Sequence, residues 1–163
     1  MTGTTRTARD PRIDRLTGLP SRVVWQEVME MERMRRSRYR RPIVVMSVRL
    51  VGLPEAAAAH GRRAADELLV AAASVLRRNL RDPDLVARIG ENEFGVLLPE
   101  TQGPAMDGLL DRIGFAAAAW RGTHPDLRLM IATGWAAPEP FGDLREALRA
   151  AERRVHLTRP RSG

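Results

Sequence analysis

Hydrophobic residues recur along this chain with two different spacings, which separate predicted strands from predicted helices. In residues 43–51, apolar side chains occupy every second position from Val44 to Leu50, which is typical of a strand in a β-sheet. Residues 64–79 instead carry apolar side chains three and four positions apart, which predicts a helix with one buried face. The same criteria predict helices at 23–38, 54–60, 64–79, 106–120 and 144–156, and strands at 43–51, 85–89, 94–98 and 127–135.

The first predicted helix carries a stripe of larger apolar side chains at helical spacing. The stripe consists of Val24, Val28, Met31 and Met34, and it is expected to face the core. Methionine fills irregular gaps in protein interiors, so the stripe is interpreted as packing rather than as a binding surface. Ser21, just before the helix, can accept a hydrogen bond from a free backbone N–H of the first turn and so cap it.

The order of the predicted elements indicates the fold class. Strand, helix, helix, two-strand hairpin, helix, strand and helix predict an α/β sandwich of the α+β type, with helices packed on a mostly antiparallel sheet. The chain has 163 residues, of which 44% are hydrophobic, and this is enough for one domain with a single core. Residues 1–13 are polar and without periodicity, which predicts a flexible N-terminal arm, and residues 160–163 are a C-terminal tail.

Composition narrows the classes of function. The chain has no cysteine, which excludes disulfides, thiolate metal sites and cysteine nucleophiles. All 27 basic residues are arginine and the net charge is +7, so phosphates and nucleotides are natural partners. The arginines are spread along the chain with few aromatic residues between them, which does not favour nucleic-acid binding. No apolar run approaches the roughly 20 residues of a membrane span, and no signal peptide is evident, so a cytoplasmic protein is expected.

Two motifs resemble those of one known family. Residues 90–94 read Gly-Glu-Asn-Glu-Phe at the predicted hairpin turn, which resembles the Gly-Gly-Asp/Glu-Glu-Phe signature of the GGDEF (diguanylate cyclase) family. Residues 14–22 resemble the family's opening Asp-x-Leu-Thr-Gly-Leu-x-Asn-Arg turn, with Ser21 in place of asparagine. The chain is identified as a degenerate member, whose domain spans residues 14–159. The resemblance implies the palm-like fold of nucleotidyl cyclases and a centre that joins two GTP molecules with divalent metals.

Several positions that carry this chemistry in the family are altered here. Arg49 falls where the family has a metal-binding aspartate at the end of its central strand, and Asn92 falls on the second metal carboxylate. Ala57 falls on the asparagine that recognises guanine. Magnesium requires hard oxygen ligands, whereas a guanidinium repels cations. The resemblance therefore implies an inactive centre without magnesium, in which Glu93 and Asp66 are the remnants.

Each remnant also has a structural interpretation. Glu93 is expected to form an ion pair with Arg49, which would keep this part of the domain folded without metal. Asp66 lies near the start of its predicted helix, where a carboxylate interacts favourably with the helix dipole. For Asp66, that interpretation and a contact with nucleotide both remain open.

A second site of the family matches better. Residues 81–84 read Arg-Asp-Pro-Asp, which is similar to the Arg-x-x-Asp product-inhibition motif at the family's spacing from the signature. Arginine can pair with phosphate or with the O6 and N7 edge of guanine, and aspartate can accept from guanine N1–H. The resemblance implies cyclic di-GMP binding by Arg81 and Asp84, with Arg112 at the place of a secondary arginine. The alternative is a charged turn between a helix and a strand.

Three hypotheses about function follow. The leading one is a non-catalytic cyclic di-GMP receptor that uses Arg81 and Asp84 and acts by forming a homodimer or by binding an unidentified protein. The second is a ligand-independent protein-interaction module that uses the old substrate groove or the basic helix at 23–38. The third is weak GTP binding or residual cyclase activity, against which Arg49 and Asn92 both argue.

Overall fold

The computed structural model describes residues 9–155. Most of the predicted arm (residues 1–8) and the whole predicted tail lie outside the described residues, as does His156 at the predicted end of the last helix. The described chain forms the elements α1 (Arg22–Tyr39), β1 (Ile43–Val51), α2 (Leu53–His60), α3 (Arg62–Asn79), β2 (Leu85–Arg88), β3 (Glu93–Pro99), α4 (Ala105–Thr123), β4 (Met130–Ala136) and α5 (Leu144–Val155).

The four strands form one antiparallel sheet in the order β2-β3-β1-β4. β1 is therefore interior, paired with β3 on one side and β4 on the other. This confirms the predicted α+β fold and its hairpin. β4 begins three residues later than predicted, because Leu127 N–H donates to the His124 carbonyl at 3.1 Å and closes a turn there. Among residues 9–155, no helix has both the length and the apolar character that crossing a bilayer requires.

Helices cover both faces of the sheet. The alternate residues Val44, Met46, Val48 and Leu50 of β1 are at most 1% exposed and belong to the larger core, which α3 and α4 complete. The other face of β1 packs against α1 and α5 in a smaller core. Fully burying one such aliphatic side chain stabilises the fold by roughly 1.5–3 kcal/mol, so the two cores together fix the strand register.

Two glycines let the helices of the smaller core approach the sheet closely. A Cβ on Gly95 would lie 2.8 Å from carbons of the Trp25 indole ring. A Cβ on Gly134 would collide with the Ala151 carbonyl oxygen and lie 2.5 Å from the Val155 nitrogen, both in the backbone of α5. The absence of a side chain at these positions allows α1 and α5 to pack against β3 and β4.

The predicted buried stripe of α1 is wrong for its two methionines. Trp25 and Met29 face the core, whereas Met31 and Met34 are 46% and 54% exposed. Of the remaining predicted members, Val24 is half-buried and Val28 packs at the edge of the smaller core. The helix is rotated toward Trp25 because the indole buries a large apolar area in the space that Gly95 leaves free.

The start of α1 follows the prediction. The Ser21 hydroxyl accepts from the Val23 N–H at 3.2 Å, which confirms the predicted cap. The described end of the arm is also held in place, because the Arg12 guanidinium bonds to the Glu27 carboxylate at 2.7 Å and the Ser21 hydroxyl donates to the Pro11 carbonyl. These contacts place residues 11–13 with the domain rather than with the arm.

Candidate functional site

An ion pair occupies the position at which the family resemblance implies a metal ligand. Arg49 and Glu93 lie directly opposite each other in the antiparallel register of β1 and β3. The Arg49 Nη2 atom lies 2.6 Å from the Glu93 Oε1 atom, which confirms the predicted pair. The two side chains are 32% and 39% exposed, so solvent screens the pair and its contribution to stability is modest.

Asn92 connects the hairpin turn to the end of β1. Its side-chain Nδ2 donates to the Leu50 carbonyl at 3.0 Å, and the Leu50 N–H donates to the Asn92 carbonyl at 2.8 Å. A carboxylate at this position could not make the first bond, because it has no hydrogen to donate. The amide therefore has a structural role that an aspartate would not fill.

The residues at this end of β1 do not fit a divalent cation. Magnesium takes oxygen ligands, several of them charged, in a tight octahedral arrangement. Here Arg49 contributes a positive charge, Asn92 directs its amide hydrogens toward Leu50, and the Glu93 carboxylate is paired with Arg49. Within the described range 9–155, no three histidine or acidic side chains cluster in a way that could hold a metal ion.

Arg88 holds the signature turn in place. Its Nε donates to the Gly90 carbonyl at 3.2 Å and its Nη2 to the Glu91 carbonyl at 2.8 Å. Its Nη1 lies 3.2 Å from the Asp14 carboxylate, which also accepts from the Thr17 backbone N–H at 2.9 Å and from the Thr17 hydroxyl at 2.6 Å. One arginine thus ties the hairpin to the opening turn. The signal in the sequence is an arginine two residues before the turn, but its spacing alone does not indicate these contacts.

The same network determines the protonation of Asp14. Burial would raise the pKa of this carboxyl group, but the hydrogen bonds from Thr17 and the positive charge of Arg88 outweigh that effect. The pKa of Asp14 therefore lies below its usual value of 3.8, and the group is ionised in the folded protein at neutral pH.

Arg81 and Asp84 form a closed turn between α3 and β2. One Asp84 oxygen accepts from the Arg81 backbone N–H at 2.8 Å, and the other lies 3.0 Å from the Arg81 Nη2. The same Nη2 donates to the Pro99 carbonyl at 2.9 Å and to the Thr101 hydroxyl at 2.8 Å, just after β3. The motif therefore fixes the guanidinium from several directions.

The two members of the motif differ in exposure. The Asp84 side chain is 2% exposed and the Arg81 side chain is 54% exposed. The hydrogen bond and the charge of Asp84 raise the pKa of Arg81 above its usual value, so the guanidinium stays charged. The Nη1 of Arg81 donates to none of the described residues, so its two hydrogens are available to a bound molecule.

A cleft of about 600 Å³ adjoins this turn. Pro83 and Pro99 line the cleft together with Arg35, Tyr39 and Arg41. Glu32 and Glu100 belong to the same lining and form ion pairs with Arg35 and Arg41. The cleft therefore combines an exposed aromatic ring with arginines that already have acidic partners.

The other predicted site residues are dispersed. Arg112 lies exposed on α4 and makes no hydrogen bond or ion pair with Arg81 or Asp84. Ala57 is half-buried on α2. Asp66 is the fifth residue of α3, whose first turn contains no acidic residue, so the interpretation of Asp66 as a partner of the helix dipole is not supported.

Asn92→Asp is expected to lower the free energy of unfolding by about 1 kcal/mol, because the Leu50 carbonyl loses its donor and faces a negative charge instead. Urea denaturation at pH 7 measures the change. Gln102→Glu is the matched control, since it makes the same chemical change at an exposed position and should stay within about 0.5 kcal/mol of the parent protein. Equal effects of the two substitutions would contradict the assigned role of Asn92.

Comparisons with known proteins agree with this geometry. Residues 12–158 match the family model described as "Diguanylate cyclase, GGDEF domain". The diguanylate cyclase DgcP of Pseudomonas aeruginosa is 38% identical over 106 residues, which are 65% of this chain and 16% of DgcP. The chain thus spans about a sixth of the length of that relative.

Two solved structures show the same fold. The GGDEF domain of DgcB from Caulobacter crescentus, solved in complex with c-di-GMP, superposes with a TM-score of 0.86 at 20% identity, covering 96% of this chain and 92% of that one. The GGDEF domain of PA1120 (TpbB or YfiN) from Pseudomonas aeruginosa superposes with a TM-score of 0.80 at 26% identity, covering 91% of each chain. With the match over residues 12–158, these similarities show that the chain belongs to the GGDEF domain family.

Proposed function

We propose that this GGDEF domain is a non-catalytic receptor for cyclic di-GMP and that Arg81 makes the principal contact with the ligand. The observation that carries the proposal is the state of the Arg81 guanidinium, which is held in place on one edge and accessible on the other. An arginine fixed in this way loses little side-chain entropy on binding, and its planar fork matches a phosphate or the Hoogsteen edge of guanine.

The residues at the positions that carry out cyclase chemistry in the family support a receptor rather than an enzyme. Phosphodiester formation from two GTP molecules uses divalent metals to activate a hydroxyl and to neutralise the triphosphates. The ion pair of Arg49 with Glu93 and the amide of Asn92 leave no fitting set of ligands at this end of β1. Ala57 also has no polar group with which to recognise guanine. Cyclic di-GMP binding at Arg81 does not need these residues, and we expect it to proceed without magnesium.

Asp84 acts in this proposal mainly as a positioning residue. Its buried carboxylate orients the Arg81 guanidinium, and a direct contact with guanine N1–H would require one of its oxygens to release Arg81. The adjoining cleft offers the ring of Tyr39 for base stacking. A phosphate there would replace Glu32 or Glu100 as the partner of Arg35 or Arg41, which costs little because these ion pairs are exposed. Arg112 could supply a further phosphate contact, since its side chain lies exposed on α4.

Isothermal titration with cyclic di-GMP in a buffer that contains EDTA tests the proposal. The parent protein is expected to bind with a micromolar or lower Kd, and Arg81→Ala to weaken binding at least about tenfold, since hydrogen bonds to charged groups contribute roughly 1.5–3 kcal/mol. Arg78→Ala removes an exposed arginine from the same helix end, changes the net charge equally, and should bind like the parent. Absence of binding to the parent protein, or equal weakening by both substitutions, would refute the proposal.

An interaction module that needs no ligand is a second candidate, and one observation favours it. The apolar side chains of Met31 and Met34 lie on the outer face of α1 rather than in the core. Under either candidate the protein acts in the cytoplasm and transmits its signal through another protein molecule. Turnover of GTP with magnesium, abolished in Glu93→Ala, would contradict both.

A further inference from the structure

The outer face of α1 presents an apolar row to solvent. Val23, Met31 and Met34 are 43%, 46% and 54% exposed, although each is a residue type that is usually buried. The large exposed residues Phe115 and Phe141 lie on other elements, α4 and the loop before α5, so they do not extend this row. These exposed apolar side chains of α1 share one side of the helix, and Glu27 lies between Val23 and Met31 on the same line.

Charge is segregated along the same helix. The acidic residues of α1 are Glu27, Glu30 and Glu32, all in its first two-thirds. The part that follows is basic, with Arg33, Arg35, Arg36 and Arg38. Apart from Arg22 at its first residue, the charged residues of α1 are acidic up to Glu32 and basic after it. Two copies in the antiparallel orientation can therefore bring acidic residues opposite basic ones.

The row of side chains through Met31 shows this complementarity residue by residue. Glu27, Met31 and Arg35 follow one another at intervals of four, so they lie along one line on the helix surface. If a two-fold axis passes near Met31, Glu27 of one copy lies opposite Arg35 of the other, and the two Met31 side chains meet at the centre. Two such ion pairs then flank one apolar contact.

From these observations we infer that the outer face of α1 is a self-association surface, on which a second copy of this chain docks with its own α1 antiparallel. The existing partners of the charged residues do not prevent it. Glu27 pairs with Arg12 and Arg35 with Glu32, and the side chains of Glu27 and Arg35 remain 50% and 68% exposed. Exposed pairs of this kind contribute little, so exchanging partners costs little.

The surface is small for a stable interface. A helix of 18 residues is about 27 Å long, and two such helices alone bury less than the roughly 800 Å² per partner of a standard interface. The dimer should therefore be weak and form reversibly. Arg81 is not part of this face, but Arg35 lines both this face and the cleft assigned to the ligand, so the self-association is tested in the absence of nucleotide.

Sedimentation equilibrium of the full chain, without nucleotide, tests the inference over about 5–300 μM protein. The parent protein should pass from monomer to dimer within this range, and Met31→Glu should shift the Kd upward at least tenfold. Phe115→Glu is the matched control, since Phe115 is even more exposed, at 78%, but lies on α4. A monomer at every concentration, or equal effects of the two substitutions, would overturn the inference.

Charge reversal gives an independent test of the antiparallel orientation. Glu27→Arg and Arg35→Glu should each weaken the dimer. Each substitution turns both ion pairs between the two copies into pairs of like charges. The protein that carries both substitutions should recover the parent Kd within about threefold. Failure of the double variant to recover would overturn the proposed orientation. Because no nucleotide is present, these results are independent of the test of Arg81. Thermal melts establish that each variant is folded.

Discussion

Gly134→Ala is expected to destabilise the protein by about 3 kcal/mol, because the added methyl group has no space. Its Cβ would collide with the Ala151 carbonyl oxygen and would lie 2.5 Å from the Val155 nitrogen, so the backbone of α5 must move away from β4. For a chain of this length the loss corresponds to a decrease in Tm of roughly 6–12 °C. Thermal denaturation followed by circular dichroism measures it.

Gly114→Ala is the control for this experiment. Gly114 lies within α4, and a Cβ there would have no atom within 4 Å. Alanine is favoured over glycine inside a helix by roughly 0.5–1 kcal/mol, so this variant should be more stable than the parent. The same substitution thus has opposite signs at the two positions. A decrease in Tm at Gly114 that equals the one at Gly134 would show that close approach of α5 is not the cause.

Arg88→Met should lower the free energy of unfolding by about 2 kcal/mol at pH 7. The substitution keeps much of the aliphatic volume but leaves Asp14 ionised without its cation, and the side chains of the two partners are only 17% and 21% exposed. It also removes the donors to the Gly90 and Glu91 carbonyls. Arg41→Met breaks the exposed pair with Glu100 and should change stability by less than about 0.5 kcal/mol.

The effect of Arg88→Met should depend on pH in a defined direction. Because the pKa of Asp14 is lowered in the folded state, its contribution to stability is present above 3.8 and is lost as the pH falls through the lowered value. Without Arg88 the pKa of Asp14 is lowered less, so less stability is lost in acid. The difference between parent and variant should therefore narrow from pH 7 to pH 2. A constant difference in urea denaturation across this range would contradict the role given to Asp14.

The sheet could be predicted from the sequence because its pattern is locally determined. In β1 the alternate residues from Val44 to Leu50 indicate one buried face, and the turn at residues 90–93 determines the pairing of β2 with β3. The rotation of α1 could not be predicted in the same way. Apolar side chains occur on two sides of that helix, and the choice between them depends on the contact of Trp25 with Gly95, seventy positions away in the chain.

The candidate site was predictable to a similar extent. The pairing of Arg49 with Glu93 follows from strand register and opposite charge, both of which the sequence indicates. The hydrogen bond from Asn92 to the Leu50 carbonyl could not be foreseen, because the direction of an amide depends on the backbone geometry of the folded turn. The burial of Asp84 behind Arg81 depends equally on tertiary structure, since the Pro99 carbonyl and Thr101 come from a later segment.

The ion pair between Arg49 and Glu93 also bears on the evolutionary history open to this domain. Changing Arg49 alone to aspartate would set two carboxylates opposite each other on neighbouring antiparallel strands, where like charges are destabilising. Changing Asn92 alone would remove the donor to Leu50. Either single change toward a pair of carboxylates is therefore expected to lower the stability of the domain. A sequence that acquired both changes one at a time would pass through a less stable intermediate.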